Sequence, residues 1–397
     1  MKGAEEGFDT LAVHGPSEGR EGPVVSPIVP ASTFRFPDTA AFAAVGSGKR
    51  EGYFYTRYSN PNFRSVEERL AALEGTERAL VFGSGLAAIS AALLAHLKAG
   101  DLVVSTRDLY GGTTAVFELL RRFGVRIETV GLDDFGAIER EVGRGARLLY
   151  TETPTNPLVR VVDLPRLAAV ARKAGALLAC DATFSSPYNQ RTAEFGVDLV
   201  LHSATKYLGG HGDLLGGVVA GSASHLAPVE RARRVLGGVI EPAGAWMLER
   251  SLKTLGLRVA RQNENGLRVA QFLKSAKGVK RVHYPGLPDH PDHAIARAQM
   301  KGFGGVVSFE VDGGLDGASR VADRLRLIAL APSLGGVESL VSQPALSSHA
   351  MLSPPARREA GIDEGLVRVA LGIENAEDLI ADLARALHGT GAPNSEA

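Results

Sequence analysis

The sequence predicts a doubly wound α/β fold, with a mostly parallel seven-stranded sheet and a smaller C-terminal α+β domain. Three observations predict it. Seven short apolar runs alternate with helical segments, which is typical of a parallel sheet covered by helices. Several of these runs lack an alternation of apolar and polar residues, as expected of strands buried on both faces. After about residue 245 the pattern changes to long helical segments followed by further strands.

The N-terminal segment differs from the rest of the chain. It is rich in Gly, Pro, Ser and aromatic residues, shows no sustained period and ends in EGYFYTRYSNPNFRS. We predict an extended arm over residues 1–60. Helical spacing then begins at Ser65, a predicted N-cap with Glu68 three residues later, and ends at Gly75.

A large domain is predicted over residues 61–245 and a smaller one over residues 246–397. The seven strands of the large domain are predicted at RALVF, DLVVS, VRIETV, ARLLYTE, GALLAC, VDLVLH and GGVVAG. In the smaller domain, helices are predicted in AGAWMLERSLKTLGLRVARQNENGLRVAQFLKS and AEDLIADLARAL, and strands in KRVHYP, GGVVSFEV and LVRVALG.

Composition limits the partners that the protein can have. Lys+Arg and Asp+Glu both number 44, so no net field favours nucleic acid or an anionic membrane, and the partners should be small molecules or other subunits. The apolar stretches are too short to span a bilayer. The single cysteine, Cys180, excludes an internal disulfide, and the sequence MKGAEEGFDT lacks signal-peptide features, so we expect a cytoplasmic location.

Unusual residues follow five of the predicted strands, at the carboxyl ends where ligands bind in open parallel sheets. Lys206 stands one turn beyond VDLVLH, between the hydroxyls of Ser203 and Thr205 and a pair of glycines. A lysine at the mouth of a sheet, beside hydroxyls that can bind an anion, is a candidate nucleophile. The five loops contain GSGLAA, TRDLYGG, TPTNP, DATFSSP and SATKYLGGHGD.

Each of the other loop residues has a plain structural explanation when taken alone. Asp181 could be an N-cap, Tyr110 a half-buried core aromatic, and Asn156 a turn residue between prolines. Together with Lys206 they match the needs of pyridoxal phosphate. Its aldehyde needs a desolvated amine and its ring nitrogen needs a carboxylate, roles that suit Lys206 and Asp181. The flat partner of the ring could be Tyr110, and its phosphate could bind the groups of Gly85, Leu86, Ser203 and Thr205.

From about Tyr53 to Leu387 the chain resembles the pyridoxal-phosphate-dependent transsulfuration enzymes, the family of cystathionine γ-synthase, cystathionine γ-lyase and methionine γ-lyase. The most specific motif is SATKYLGGHGD, and YTRYSNP, GSGLAAI, DLYGGT, TPTNP, SLGGVESL and LVRVALGIE also match. The resemblance implies the type I pyridoxal-phosphate transferase fold and a homotetramer made of two active dimers.

The resemblance also implies a role for each matching residue. Catalysis would rest on Lys206, which carries the imine, and on Tyr110, which stacks on the ring. Asn156 would contact the ring hydroxyl, and Arg368 with Ser333 would hold the substrate carboxylate. Two arm residues, Tyr55 and Arg57, would reach the phosphate of the neighbouring subunit. Leu86 and Ala182 differ from the usual residues of the family, which leaves the expected backbone amide and the carboxylate in place.

The reaction itself is less sharply indicated. Family members remove protons from Cα and Cβ and expel a γ-substituent, then differ in the next step. Gly112 stands where methionine γ-lyases carry a cysteine, and Pro332 where many cystathionine γ-lyases carry an acidic residue. HAIARAQMKGFGGVVSFEVDG and APSLGGVESLVSQPA resemble plant-type cystathionine γ-synthases. We therefore favour γ-replacement of an activated homoserine ester by cysteine over γ-elimination to 2-oxobutyrate and ammonia. The sequence leaves the ester group open.

Other classes explain the sequence less well. A Rossmann dehydrogenase would use GSGLAA and Asp108, but it leaves Lys206 and Asp181 without a role. A non-catalytic binding protein would tolerate their loss. DHPDH, residues 289–293, is interpreted as a surface connection with Asp292 as a helix N-cap, so no metal site is predicted.

Overall fold

In a computed structural model, which describes residues 6–16 and 22–388, the predicted seven-stranded sheet is present. Its spatial order is β1-β7-β6-β5-β4-β2-β3. β7 is antiparallel to both of its neighbours, and the other pairs are parallel. All seven predicted runs form strands: β1 (Arg78–Phe82), β2 (Leu102–Thr106), β3 (Arg126–Val130), β4 (Leu148–Glu152), β5 (Leu177–Asp181), β6 (Leu199–Ser203) and β7 (Gly217–Gly221).

Helices cover both faces of this sheet, which explains why its strands lack a two-residue alternation. In β2, Val103 packs into the core on one face and Val104 into the core on the other. Both side chains are fully buried. The helices up to the end of the sheet are α1 (Phe8–His14), α2 (Thr39–Gly46), α3 (Pro61–Glu74), α4 (Gly85–His96), α5 (Gly111–Arg122), α6 (Phe135–Val142), α7 (Leu164–Ala174), α8 (Ser186–Asn189) and α9 (Ala223–Leu236).

A second, five-stranded sheet follows, in the order β10-β11-β12-β9-β8, with a core of its own around Phe309 and Leu383. It confirms the predicted α+β character of the C-terminal part. Its strands are β8 (Val279–His283), β9 (Val306–Val311), β10 (Ala329–Leu330), β11 (Leu340–Ser342) and β12 (Leu366–Ala370). The remaining helices are α10 (Pro242–Leu252), α11 (Leu255–Ser275), α12 (His293–Gln299), α13 (Gly314–Arg324), α14 (Pro354–Glu359) and α15 (Ala376–Leu387).

The domain limits at residues 60 and 245 stay predictions. Parts of the predicted N-terminal arm and of the predicted smaller domain lie outside the described residues. Within the described ranges, none of the helices has both the length and the apolar character that crossing a bilayer requires.

Two predictions for the N-terminal part were wrong in detail. The arm contains the short helices α1 and α2, and α3 begins at Pro61 rather than near Ser65. The side chain of Asn60 is the N-cap, accepting the amide of Asn62 at 3.0 Å. Proline at the first helical position has the φ angle that a helix needs, so Asn-Pro is the stronger start signal. The predicted end at Gly75 agrees with its left-handed φ of 71°.

One glycine lets α4 begin directly against the sheet. Gly217 in β7 pairs with Phe82 of β1 on one side and with Ser203 of β6 on the other. A Cβ atom at Gly217 would lie 2.1 Å from the carbonyl oxygen of Ser84, the N-cap residue of α4. Only glycine therefore permits this approach, which holds the amino end of α4 next to the end of β6.

We predict that Gly217→Ala lowers the free energy of unfolding by about 3 kcal/mol, the upper end of the usual cost of overpacking. The new methyl group would force the backbone of β7 and that of Ser84 apart. Chemical denaturation measures the change. Gly136→Ala is the matched control: it lies in α6, where a new Cβ would have no contact closer than 3.6 Å, so stability should be unchanged or slightly raised. Equal effects of the two substitutions would contradict the prediction.

Candidate active site

The candidate site lies where three adjacent strands end at the same edge of the large sheet. β4, β5 and β6 are parallel neighbours, and Glu152 is in register with Asp181, which is the last residue of β5. Lys206 follows the end of β6 by three residues, and its amide donates to the carbonyl of Ser203 at 3.1 Å. Parallel pairing therefore brings the predicted lysine and the predicted carboxylate to one edge, as the sequence pattern requires.

The amine of Lys206 points toward the C-terminal domain. Its Nζ donates a hydrogen bond to Ser333 Oγ at 2.7 Å. Burial and, secondarily, the nearby Arg368 guanidinium lower the pKa of this amine below its ordinary value. A lowered pKa increases the neutral, nucleophilic fraction of a lysine at neutral pH.

Arg368, in the middle of β12, contacts two other predicted residues. It is 6% exposed, and its Nη1 donates to Asn156 Oδ1 at 2.7 Å while its Nη2 donates to the carbonyl of Ser333 at 3.1 Å. Its Nε is buried and has no acceptor among the described residues. Burial lowers the pKa of Arg368 to about 10, so the guanidinium keeps its charge at neutral pH.

Asp181 presents one free carboxylate oxygen at the strand end. Its Oδ1 accepts the amide of Thr183 at 2.9 Å and the hydroxyl of Thr183 at 2.5 Å. Its Oδ2 accepts no hydrogen bond from the described chain. Burial raises the pKa of Asp181, and the two bonds from Thr183 oppose that rise. Asp181 does not cap a helix, because α8 begins only at Ser186.

The amino end of α4 provides free donors beside β6. The Ser84 side chain accepts the amide of Ala87 at 3.1 Å. The amides of Gly85 and Leu86 donate to no acceptor in the described chain, as is usual for the first residues of a helix. A Cβ at Gly85 would lie 2.9 Å from the Cβ of Ser203, so this serine lies directly against the helix end. Two free amides, a hydroxyl and the helix dipole form a cradle for an anion.

Thr205 lies between this serine and Lys206 in the chain. Its hydroxyl accepts the amide of Gly216 at 3.1 Å. Thr205 also lines a cavity of about 640 Å³ that reaches Ser333. One predicted phosphate-binding residue, Thr205, and one predicted substrate-binding residue, Ser333, thus border on the same cavity.

Tyr110 precedes α5 and is about half exposed, so it is not a core aromatic. Its amide donates to Glu152 Oε2 at 2.8 Å. A Cβ at Gly112 would lie 2.4 Å from a ring carbon of Tyr110, so the ring occupies the space that a side chain at Gly112 would need. Glu152 is 3% exposed, and burial together with Asp181 raises its pKa well above the ordinary value.

The structure does not bring Tyr55 and Arg57 to the other site residues of the same chain. The guanidinium of Arg57 donates to the carbonyl of Arg234, at the end of α9. It also lies 5.3 Å from the ring centre of Tyr55 and 5.0 Å from that of Tyr58. Neither predicted arm residue forms a described hydrogen bond with Lys206 or with the other residues at the strand ends.

Sequence reasoning missed Thr183 and Glu152. Thr183 also accepts the amide of Ser203 at 2.8 Å, so it joins the end of β5 to the end of β6. A threonine two residues after an aspartate at a strand end is a known turn signal that could have indicated Thr183. Glu152 could have been suspected because it is a carboxylate at the end of a buried apolar run.

The DHPDH segment is engaged in other contacts. Asp292 is the N-cap residue of α12 by position, but its side chain does not bond to the helix. It accepts instead from Arg160 Nε at 2.6 Å, and Asp289 pairs with Lys274 at 2.9 Å. In residues 6–16 and 22–388, no group of three His, Cys, Asp or Glu side chains is placed to hold a metal ion.

The remaining groups fit pyridoxal phosphate. An amine with a lowered pKa suits its aldehyde, and the unpartnered Oδ2 of Asp181 suits its ring nitrogen. The free amides of α4 beside Ser203 suit its phosphate. Within the described chain these three features lie around one edge of one sheet.

Comparisons with known proteins agree with this chemistry. Residues 9–388 match the family described as Cys/Met metabolism PLP-dependent enzymes. The O-succinylhomoserine sulfhydrylase of Pseudomonas aeruginosa is 41% identical over 96% of this chain and 95% of its own length. The chloroplastic cystathionine γ-synthase 1 of Nicotiana tabacum is 41% identical over 92% of this chain and 68% of its own length. A solved cystathionine γ-lyase from Micromonospora echinospora superposes with a TM-score of 0.90 at 41% identity, covering 97% of this chain and 100% of that chain. The chain therefore belongs to the pyridoxal-phosphate-dependent enzymes of cysteine and methionine metabolism.

Proposed function

We propose that the enzyme joins cysteine to an activated homoserine ester and releases cystathionine. When bound, pyridoxal phosphate supplies an electron sink that makes the Cα and Cβ protons of the ester substrate removable, so that the γ-substituent can leave. The residues of the chain would bind the substrate carboxylate, carry the protons and admit the thiol of cysteine.

Lys206 is the proposed anchor of the cofactor and the proton carrier. Its amine is positioned by Ser333 and made less basic by burial, as general acid and base work at neutral pH requires. Lys206 would hold the cofactor aldehyde, and its amine, when free, would carry protons to and from Cα and Cβ of the substrate. The buried Nε of Arg368, together with the Ser333 hydroxyl, is proposed to bind the substrate carboxylate.

The cofactor itself is proposed to rest on three groups of residues. Asp181 would face the ring nitrogen, and Tyr110 would cover the ring, in a catalytic role that keeps the reacting atoms aligned. Asn156, fixed by Arg368, would contact the ring hydroxyl. The proposed phosphate ligands are the amides of Gly85 and Leu86 and the hydroxyls of Ser203 and Thr205.

The lining of the cavity beside Ser333 carries the choice of γ-replacement with cysteine. The cavity of about 640 Å³ adjoins Thr205 and Ser333 and has room for a second amino acid. Its charged lining residues are both acidic, Asp213 and Glu338, which favours the ammonium group of cysteine over an anionic thiol. Pro332, which also lines it, stands where many cystathionine γ-lyases carry an acidic residue, so this one position lacks the charge that the family resemblance links to cleavage.

Two alternatives remain. The relative from Pseudomonas aeruginosa is named for O-succinylhomoserine sulfhydrylation, which favours sulfide as a second candidate nucleophile. The relative from Bacillus subtilis is named a cystathionine γ-lyase and is 40% identical over 95% of this chain, which keeps γ-elimination as the alternative reaction class. Similarity of this degree does not separate these reactions.

We predict that Lys206→Ala lowers turnover by at least about 100-fold, because a positioned acid or base commonly contributes 10²–10⁴-fold. Steady-state rates of the parent and variant, both saturated with cofactor, measure this. Lys253→Ala is the control, since Lys253 lies outside the candidate site, after α10. Turnover of Lys206→Ala within about tenfold of the parent would defeat the assignment.

We predict that the enzyme forms cystathionine from cysteine and an O-acyl- or O-phosphohomoserine faster than it cleaves cystathionine. The assay offers each ester with cysteine, sulfide or 3-mercaptopropionate, and offers cystathionine alone, while cystathionine, homocysteine, the thioether of 3-mercaptopropionate and 2-oxobutyrate are followed. 3-Mercaptopropionate lacks the ammonium group and should react poorly if the acidic lining selects cysteine. Fast cleavage of cystathionine without synthesis from any ester would establish the lyase instead.

We also propose that Tyr55 and Arg57 complete the phosphate site of a second copy of the chain, since they do not reach the site of their own. We predict that mixing inactive Arg57→Ala with inactive Lys206→Ala under subunit exchange restores part of the activity, because one of the two sites in a mixed dimer keeps both residues. Exchange is verified with differently tagged subunits. No recovery despite verified exchange would refute a shared site.

A further inference from the structure

Glu152 is a buried carboxyl group that the proposed reaction does not use. It ends β4 in register with Asp181 at the end of β5, and registered residues of neighbouring parallel strands project from the same face of a sheet. Its Oε2 accepts the amide of Tyr110 at 2.8 Å, and its Oε1 has no partner in the described chain. One side chain thus connects the residue proposed to cover the ring with the strand that carries the proposed ring-nitrogen partner.

The contact with Tyr110 fixes the start of α5. The Tyr110 side chain makes no capping bond to the helix. The backbone amide of Tyr110 is held instead by its hydrogen bond to Glu152. The ring of Tyr110 then lies over Gly112, where even a Cβ would collide with it. Glu152 thus fixes the backbone that carries the ring, and the missing side chain of Gly112 leaves the space in which the ring lies.

The groups that face Glu152 include no described cation that would stabilise a negative charge. They are Asp181 and Cys180 on β5, Tyr150 on its own strand, and Asp108 before α5. Burial and the charge of Asp181 both raise the pKa of Glu152, and the single amide bond from Tyr110 only opposes them. Two carboxylates at one buried strand edge cannot both ionise cheaply, and Thr183 gives Asp181 the two donors that favour its ionised form.

We infer that Glu152 is a positioning residue that works as a neutral carboxylic acid: it holds Tyr110 over the cofactor and leaves Asp181 as the only negative charge beneath the ring. This inference rests on the proposed roles of Tyr110 and Asp181. It does not depend on whether the enzyme replaces or eliminates the γ-substituent.

Glu152→Gln and Glu152→Ala separate the two parts of the inference. Glutamine keeps an acceptor for the Tyr110 amide and, like a protonated carboxyl, has a donor on its other atom. Alanine removes the acceptor. Hydrogen exchange of the peptide spanning residues 107–113 should be slow in the parent and in Glu152→Gln, and about tenfold faster or more in Glu152→Ala, as expected when an amide loses its acceptor. The visible circular dichroism of the bound cofactor should be the same in the parent and Glu152→Gln and should change in Glu152→Ala.

The pH dependence of stability tests the protonation state without using activity. A carboxyl with a raised pKa keeps a proton in the folded state that the unfolded state releases, so the parent loses stability as pH rises above the ordinary glutamate value of about 4.3. Glu152→Gln has no such loss. Its melting midpoint, measured on the holoenzyme, should therefore rise relative to the parent between about pH 5.5 and pH 8.

Glu310 gives a control of opposite sign. It accepts from His283 at 2.8 Å, and this bond lowers its pKa, so Glu310→Gln should be less stable than the parent, with a difference that shrinks only as pH falls. It should leave exchange at residues 107–113 and the cofactor spectrum unchanged.

The difference in melting midpoint between Glu152→Gln and the parent should grow with pH. A difference that stays flat or falls with pH, or a failure of this variant to fold, would overturn the proposal that Glu152 is neutral. Unchanged hydrogen exchange in Glu152→Ala would overturn the positioning role. If the alanine variant does not fold, Glu152→Met is measured in its place. No readout uses turnover, and visible absorption verifies cofactor binding, so failure of the proposed reaction would remain distinguishable from failure of this inference.

Discussion

The buried guanidinium of Arg368 is the interaction on which the rest of the candidate site depends. It extends from the second sheet to Asn156, in the loop after β4 of the first sheet, and holds the carbonyl of Ser333. Ser333 in turn receives the amine of Lys206. A buried charge with unsatisfied donors is costly, so these contacts cannot be exchanged freely without loss of stability. One side chain therefore fixes the relation of the two sheets where substrate is proposed to bind.

Burial acts in opposite directions on the acids and bases of the site. It lowers the pKa of Lys206 and raises those of Asp181 and Glu152. A protein region that desolvates all three groups pushes each toward its neutral form. Local hydrogen bonds then decide which group keeps a charge, and Thr183 provides them for Asp181. The same low-dielectric edge can thus present a nucleophilic amine and one ionised carboxylate side by side.

Ser333 shows that the chain accepts backbone strain at this point. Its φ is 127°, a conformation that residues other than glycine rarely adopt. The carbonyl bond to Arg368 and the hydroxyl bond from Lys206 hold it there. A relaxed backbone at this position would move the hydroxyl away from the amine, so the strain belongs to the geometry that the site needs.

The large sheet could be predicted from the sequence because burial on both faces leaves uninterrupted apolar runs, and all seven became strands. β10 and β11, with two and three residues, are too short to give a pattern. The capping-box spacing points to Ser65, but proline at the first helical position after Asn60 is the stronger start signal. Local patterns could have marked Thr183 and Glu152 as candidates, but their contacts with Ser203 and Tyr110 join neighbouring elements of the fold, which no local pattern predicts. The contact of Lys206 with Ser333 joins residues 127 positions apart, and the sequence did not predict it; the family resemblance implied only that Ser333 lies beside the substrate carboxylate.

The division of labour in the site explains why relatives with different activities share so much of the chain. The residues proposed to hold the cofactor lie at strand ends and a helix start, where the sheet fixes their positions. The cavity proposed for the second substrate is lined largely by loop residues between Ala329 and Leu340 and by the segment from Gly212 to Leu215, outside the regular elements of the large sheet. Loops of this kind can change charge and shape without disturbing the fold. Under the proposed function, a change at Pro332, Asp213 or Glu338 would redirect the nucleophile while Lys206 and Asp181 stay in place, so the reaction has to be argued from the cavity and not from overall similarity.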